Sequence, residues 1–147
     1  MFILHEDAKV GRLKSVPLFA DASRTALRHL ASTADEVTVP KGSTLIHQGH
    51  DHHEGYVIVA GRVEVVLDGE RVAEIGEGEI VGELGLFGQR PASATVKALT
   101  AVEALIIPYN RFDRILDENP TLTKTIATKL AARLHGMDVR HRSEPSH

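Results

Sequence analysis

The stretch Ile80-Val-Gly-Glu-Leu-Gly-Leu-Phe-Gly-Gln-Arg-Pro-Ala-Ser-Ala-Thr-Val-Lys-Ala98 carries the strongest chemical signal in this chain. Its glycines at 82, 85 and 88 let backbone come close to a bound group, and a short helical turn opening at Glu83 could aim free N–H groups at an anion. Ser93 and Ala94 are small, so the backbone that follows can approach the same anion. The Glu83 carboxylate beside such a site suits a ribose hydroxyl rather than the phosphate itself. The plain alternative is a tight loop between strands that holds nothing, because glycine-rich spacing alone often occurs without a ligand.

Histidine is the second candidate. Of the nine in the chain, His47, His50, His52 and His53 crowd one turn before Tyr56. His50-Asp-His52 sets two imidazoles on one face of an extended chain, and neutral imidazole is the commonest metal ligand. Residues 54 to 134 contain no histidine, however, so no second group of imidazoles follows to complete a closed site. The turn is expected to be solvated and polar and to hold no tight metal. No Ser/His/Asp or Cys/His set and no Gly-Lys-Ser after a strand is found, so no catalysis is expected.

The elements that must position these residues divide by punctuation. From Asp7 to Asp35 the apolar spacing is helical, with Val10 and Leu13 before Pro17, and Ala26, Leu27, Leu30 and Ala31 after the cap candidate Ser23. Two short helices are predicted over 7–35. From Glu36 to Pro108 short β-branched runs are separated by glycines, the texture of many short strands in a barrel or sandwich. Val63, Val65 and Leu67 alternate with Arg62, Glu64 and Val66, and Asp68-Gly69 before Arg71-Val-Ala-Glu-Ile75 signals a hairpin. After Pro108, Asn110 or Asp113 can open a helix, and Asn119-Pro120 stops it and starts another. Leu122, Ile126, Leu130 and Leu134 then recur every four residues up to the breaker Gly136, which bounds closing helices at 110–135. That stripe fits a helix lying on the barrel, or else a dimer seam. Residues 139–147 read as a flexible tail.

Composition bounds the function. The 147 residues, 42% of them hydrophobic, make one globular domain, and folding at this length buries roughly two-thirds of the unfolded chain's surface without metal or disulfide. A net charge of −3 provides no global field for nucleic acid or an anionic membrane. No apolar run reaches the roughly 18 residues of a spanning helix, no signal peptide is evident, and cysteine is absent, so a cytoplasmic location is expected.

The run Gly82-Glu83-Leu84-Gly85-Leu86-Phe87, followed by Pro91 and by Ser93-Ala94-Thr95-Val96, resembles the phosphate-binding cassette of cyclic-nucleotide-binding domains, as in the catabolite activator and the regulatory subunits of protein kinase A. The likeness extends through Val16-Pro-Leu-Phe19, Lys41-Gly42, Gly49 and Tyr56-Val-Ile-Val-Ala-Gly61 to Phe112, Ile115-Leu116 and Asn119-Pro120. It implies a β jelly roll of eight strands, here expected at 37–107 within a domain of residues 1–138, with helices at both ends. It further implies a regulatory domain sensing cAMP or cGMP, with Gly82 and Glu83 on the ribose and the loop Pro91-Ala92-Ser93-Ala94-Thr95 around the phosphate. No other cofactor is expected.

Two positions depart from the family pattern. The arginine that usually stands four residues before the cassette valine, pairing with the cyclic phosphate, is replaced by Ala92, and Arg90 across Pro91 is the nearby substitute. Losing a charge-assisted pair costs about 1.5–3 kcal/mol, so weakened binding is expected. In the catabolite activator two hydroxyl residues of the closing helix meet the base, and Met137 and Asp138 stand in their place. With nine residues after Asp138, too few for a recognition helix, no DNA binding is expected of the chain. Two other readings stay open. One is a ligand-free domain that dimerises or binds a protein through Leu122, Ile126, Leu130 and Leu134. The other is a metal-dependent enzyme resembling the cupins, whose His-X-His and glutamate His50, His52 and Glu54 match in part.

Overall fold

The computed structural model describes residues 3–87 and 91–143, and the side chains of these apart from Leu84, Phe87 and residues 133–143. Helix α1 (Glu6–Lys14) leads through a 3₁₀ turn (Pro17–Phe19) to α2 (Arg24–Thr33). Ser23 caps α2 as expected, its hydroxyl accepting from the Ala26 N–H at 3.1 Å. Eight strands follow: β1 (Asp35–Val39), β2 (Thr44–Ile46), β3 (Glu54–Ala60), β4 (Val63–Leu67), β5 (Glu70–Ile75), β6 (Ile80–Val81), β7 (Thr95–Ala98) and β8 (Val102–Pro108). A second 3₁₀ turn, Glu83–Phe87, sits between β6 and β7, and α3 (Tyr109–Glu118) and α4 (Pro120–Ser143) complete the described chain.

The strands form two antiparallel four-stranded sheets, in the orders β1-β8-β3-β6 and β2-β7-β4-β5. This is the expected jelly roll with flanking helices, its strands running from Asp35 to Pro108. The Asp68-Gly69 hairpin joins β4 to β5, with Leu67 opposite Glu70 and Asp68 at φ 51°, the positive φ that a two-residue primed turn requires. Between Val65 and Val66 the register slips by one residue, and Val72 is left exposed.

Strand β3 explains why residues 56–60 read as a continuous apolar run rather than an alternation. Tyr56 and Ile58 face Val63, Val96, Val102 and Ala104 between the sheets. Val57 and Val59 face the other way, into a cluster with Leu13, Phe19, Leu30, Leu105 and Phe112. The sheet is therefore buried on both faces, one against its partner sheet and one against the helices. Phe19 and Phe112 meet there with ring centroids 6.2 Å apart, joining the N-terminal turn to α3.

Two sequence expectations are corrected, and one pair of open readings is decided. Neither Asn110 nor Asp113 opens α3, which starts at Tyr109 directly from β8 with Pro108 in extended conformation at the cap. Gly136 does not end the closing helix, since α4 continues through it to Ser143 and takes in the first residues of the expected tail. A glycine within a helix costs only about 1 kcal/mol, less than its neighbours' shared hydrogen bonding sustains. Residues 144–147 lie outside the described chain. Of the two readings of the stripe on α4, the helix lying on the barrel holds: Leu122 and Ile126 are buried in the domain's own core and the partly buried Leu130 packs against the same cluster, so Leu122 and Ile126 are not a free dimer seam. Leu134 falls among the side chains outside the description. Lys129 fixes the same helix to the N-terminal turn, donating to the Pro17 carbonyl and pairing with Asp21 at 3.1 Å.

Candidate cyclic-nucleotide site

Strand β6 pairs with β3, placing Val81 opposite Tyr56, and at Gly82 the chain leaves the sheet with φ +76°. A side chain at Gly82 would be strained in that conformation and would crowd Ile46 and Tyr109 at 3.1 and 3.2 Å. The 3₁₀ turn then begins at Glu83, closed by the Gly85 N–H donating to the Gly82 carbonyl at 3.2 Å. Gly85 is required by contact: a Cβ there would stand 2.2 Å from Tyr109 Cζ and Oη.

The second half of the cassette is held by the histidine turn. Ala92 N–H donates to the His50 carbonyl at 3.0 Å, and Gly49 N–H donates to the Ala92 carbonyl at 2.9 Å. This two-bond bridge ties 49–50 flush against Ala92. Thr95 opens β7, and its hydroxyl accepts from the Gln48 N–H at 3.0 Å.

These segments enclose a cavity of about 310 Å³. Its floor is apolar, made by Ile46, Val65, Ile75, Val81 and Val96 from strands far apart in sequence. Its rim is Gly82, Glu83 and Gly85 on one side and Pro91, Ala92, Ser93 and Ala94 on another, with His52 and Tyr109 completing the wall. Six of the nine residues expected at the site thus border one cavity. Thr95 does not border it, because its side chain is engaged with Gln48 in pinning the loop. Arg90 lies outside the described residues, as does the side chain of Leu84. Met137 and Asp138 also belong to the undescribed side chains.

Sequence reading missed Tyr109 and did not assign His52 to this cavity. Tyr109 Oη donates to the Gly82 carbonyl at 2.7 Å, so the first residue of α3 is bonded to the cassette. A usable signal existed: in a chain with 4% aromatic residues, a tyrosine ending an apolar strand must find a partner for its hydroxyl if it is buried. His52 stacks on Tyr56 with centroids 5.9 Å apart, and burial holds its imidazole below the ordinary histidine range, against the pull of Glu54. Burial and the Glu54 carboxylate push the Tyr56 phenol far above its usual range, so it stays protonated and donates to Glu54 Oε1 at 3.1 Å.

Three of the four crowded histidines fall in two stacks, His47 with His50 at 5.3 Å and His52 with Tyr56. Among the described residues no three His, Cys, Asp or Glu groups converge as a metal would need. No helix among them is long and apolar enough to cross a membrane.

Two antiparallel sheets around a small cavity, with a glycine cassette on its rim and a helix bonded to that cassette, define a jelly-roll ligand-binding domain. Comparison with known proteins makes the class specific. The family model described as "Cyclic nucleotide-binding domain" matches residues 36–119, and the chain belongs to that family. The cAMP-activated global transcriptional regulator CRP of Salmonella typhimurium is 38% identical over 101 residues, 65% of this chain and 48% of that protein. The chain therefore spans about half the length of the curated relatives it matches. Among solved structures, the N-terminal domain of a transcriptional regulator from Streptomyces coelicolor A3(2) matches with a TM-score of 0.77 at 30% identity, covering 88% of this chain and 94% of that one. The regulatory subunit of a cAMP-independent protein kinase A from Trypanosoma brucei matches with a TM-score of 0.72 at 25% identity, covering 78% and 43%.

Proposed function

We propose that this domain is a regulatory sensor whose cavity takes cAMP or cGMP, with no reaction catalysed and no metal or other cofactor held. The observation that carries this reading is the convergence of Gly82, Glu83, Pro91, Ala92, Ser93 and Ala94 on one cavity of about 310 Å³. That volume lies at the lower end of the roughly 300–1,000 Å³ usual for small-molecule sites. Glu83 receives the ribose hydroxyl, the loop through Ser93 and Ala94 surrounds the phosphate, and the apolar floor takes the base. Because Tyr109 begins α3 and bonds Gly82, a ligand that moves the cassette moves the helix. Such coupling requires the ligand to favour one helix arrangement over another. The working compartment is the cytoplasm, and the net charge of −3 argues against duplex DNA as a partner of this domain.

Calorimetric titration of the purified chain with cAMP and with cGMP tests the proposal. Saturable binding at one site per chain is expected. No heat and no change in amide spectra at ligand concentrations on the order of millimolar would overturn it, since affinity weaker than that is below about 4 kcal/mol.

A second reading is a ligand-free domain that acts by protein contact. It is favoured by Ala92, which has no charge to offer a phosphate, and by the likeness to a kinase regulatory subunit described as cAMP-independent. It would need a surface other than Leu122 and Ile126, which are buried within the domain.

A further inference from the structure

Among the described residues that line the cavity, one side chain is basic, His52, and one is a carboxylate, Glu83. The remainder are apolar or small apart from Ser93 and the Tyr109 phenol. A cyclic phosphate is a permanent anion between pH 5 and 9. Among the described lining residues it would meet a like charge and, with His52 neutral, no opposite one. Charge in a largely apolar, enclosed site must be compensated, or affinity is lost.

His52 is also anomalous in its own right. Its Nε2 is sealed from water without a hydrogen-bond partner, the one such side-chain atom found among the described residues. Buried polar atoms are ordinarily satisfied, and an orphan in a native structure calls for an explanation. His52 lines the cavity although Nε2 does not itself open onto it, so a turn of the ring would bring this unpartnered nitrogen to an anion bound there. The double bridge between Ala92 and residues 49–50 brings the histidine turn to the phosphate side of the rim, and His52 follows two residues later in the same wall.

We infer that His52 is the counter-ion of this site: it takes up a proton as an anionic cyclic nucleotide binds and gives a ring N–H to the phosphate beside Ala92. This rests on the cavity being the cyclic-nucleotide site. The groups around the imidazole are consistent with a proton that is absent until ligand arrives. Burial, together with His47 and His53, favours the neutral ring, Glu54 favours the charged one, the Tyr56 ring stacks on it, and Glu83 and Tyr109 share the cavity wall. Bound phosphate adds the anion that reverses the balance.

The sign follows from linkage. A ligand that raises the histidine pKa binds with full affinity below the free-state value, and loses affinity tenfold per pH unit as pH rises toward the bound-state value. Calorimetry on the whole chain with cAMP and cGMP, in buffers of different ionisation enthalpy, should show proton uptake on binding. The dissociation constant should weaken at least about tenfold between about pH 6 and pH 8. His52→Gln, which keeps a polar side chain but cannot titrate, should bind with a flat pH profile. Wild-type binding that is independent of pH would overturn the inference while leaving the sensor reading intact, as would an undiminished slope in His52→Gln. Arg90→Ala abolishing a pH-independent affinity would assign the counter-ion to Arg90 instead. Absence of binding at every pH would overturn both readings together.

Discussion

Tyr109 Oη lies 2.7 Å from the Gly82 carbonyl oxygen and donates to it, while the tyrosine ring covers the face of Gly85 on which any side chain would stand. One residue therefore contacts both glycines of the rim and begins the helix that leaves it. The Tyr109 N–H also donates to the His53 carbonyl at 2.9 Å, so the cassette, the histidine turn and α3 meet at a single position.

Gly85→Ala should be destabilising because the new methyl would stand 2.2 Å from the tyrosine ring. Overpacking of this kind costs about 1–3 kcal/mol. Urea denaturation should show the loss in the single variant and a smaller one in a Tyr109→Ala background, where the ring is gone. An equal penalty in both backgrounds would show that the contact does not set the glycine requirement.

Ile126→Ala should lower stability by about 2–5 kcal/mol, the usual cost of hollowing a core site. Ile126 is 2% exposed and packs in the cluster that also holds Leu122, Ile115 and Phe112. Denaturation and sedimentation read separately what a seam and a core would do. A variant of unchanged stability with an altered association state would restore the stripe as an interface.

The legible parts of this fold were those set by local rules. Ser23 caps because its hydroxyl precedes a helical run, Asp68-Gly69 turns because both residues tolerate positive φ, and Asn119-Pro120 breaks because proline cannot continue α3 yet starts α4 well. The rim was legible because Gly82 to Gly85 and Pro91 to Ala94 are contiguous in sequence. The floor was not, because Ile46, Val65, Ile75 and Val96 come from four strands whose adjacency only the sheet order reveals. Tyr109 and His52 were missed for the same reason: each reaches the cavity from outside the motif. The stripe on α4 was visible as a pattern, but which surface covered it was a tertiary fact.

The N-terminal segment should loosen in acid. Glu36 accepts from the Leu4 N–H at 3.3 Å and pairs with Lys9 at 3.1 Å, while Lys9 also donates to the Ala34 carbonyl at 2.8 Å. Backbone hydrogen bonding, foremost, and the Lys9 ammonium hold this carboxyl below its ordinary value of 4.5. A lowered folded-state pKa contributes stability that is complete above the unfolded value and drains away as pH falls through the folded one. The stability gap between wild type and Glu36→Gln should therefore be present at neutral pH and shrink as pH falls below the ordinary carboxyl value of 4.5 and through the lower folded-state value. A gap that persists in strong acid would mean that the glutamate acts through packing rather than charge.

Ala92→Arg should tighten cyclic-nucleotide binding. The backbone at 92 is already fixed by two hydrogen bonds to Gly49 and His50, so the substitution adds a side chain without having to build the loop. Ala92 borders the cavity, and the neighbouring Ser93 and Ala94 leave room for a guanidinium to meet the phosphate from the rim. A bidentate, charge-assisted contact contributes about 1.5–3 kcal/mol, or roughly one to two decades of affinity. It should also flatten the pH profile, because a guanidinium stays charged throughout and makes protonation of His52 redundant. Titration of Ala92→Arg at about pH 6 and pH 8 reads both effects at once. Tighter binding with an unchanged pH slope would mean that the arginine and the histidine serve different parts of the ligand, and no gain at either pH would mean that the phosphate does not sit against residue 92.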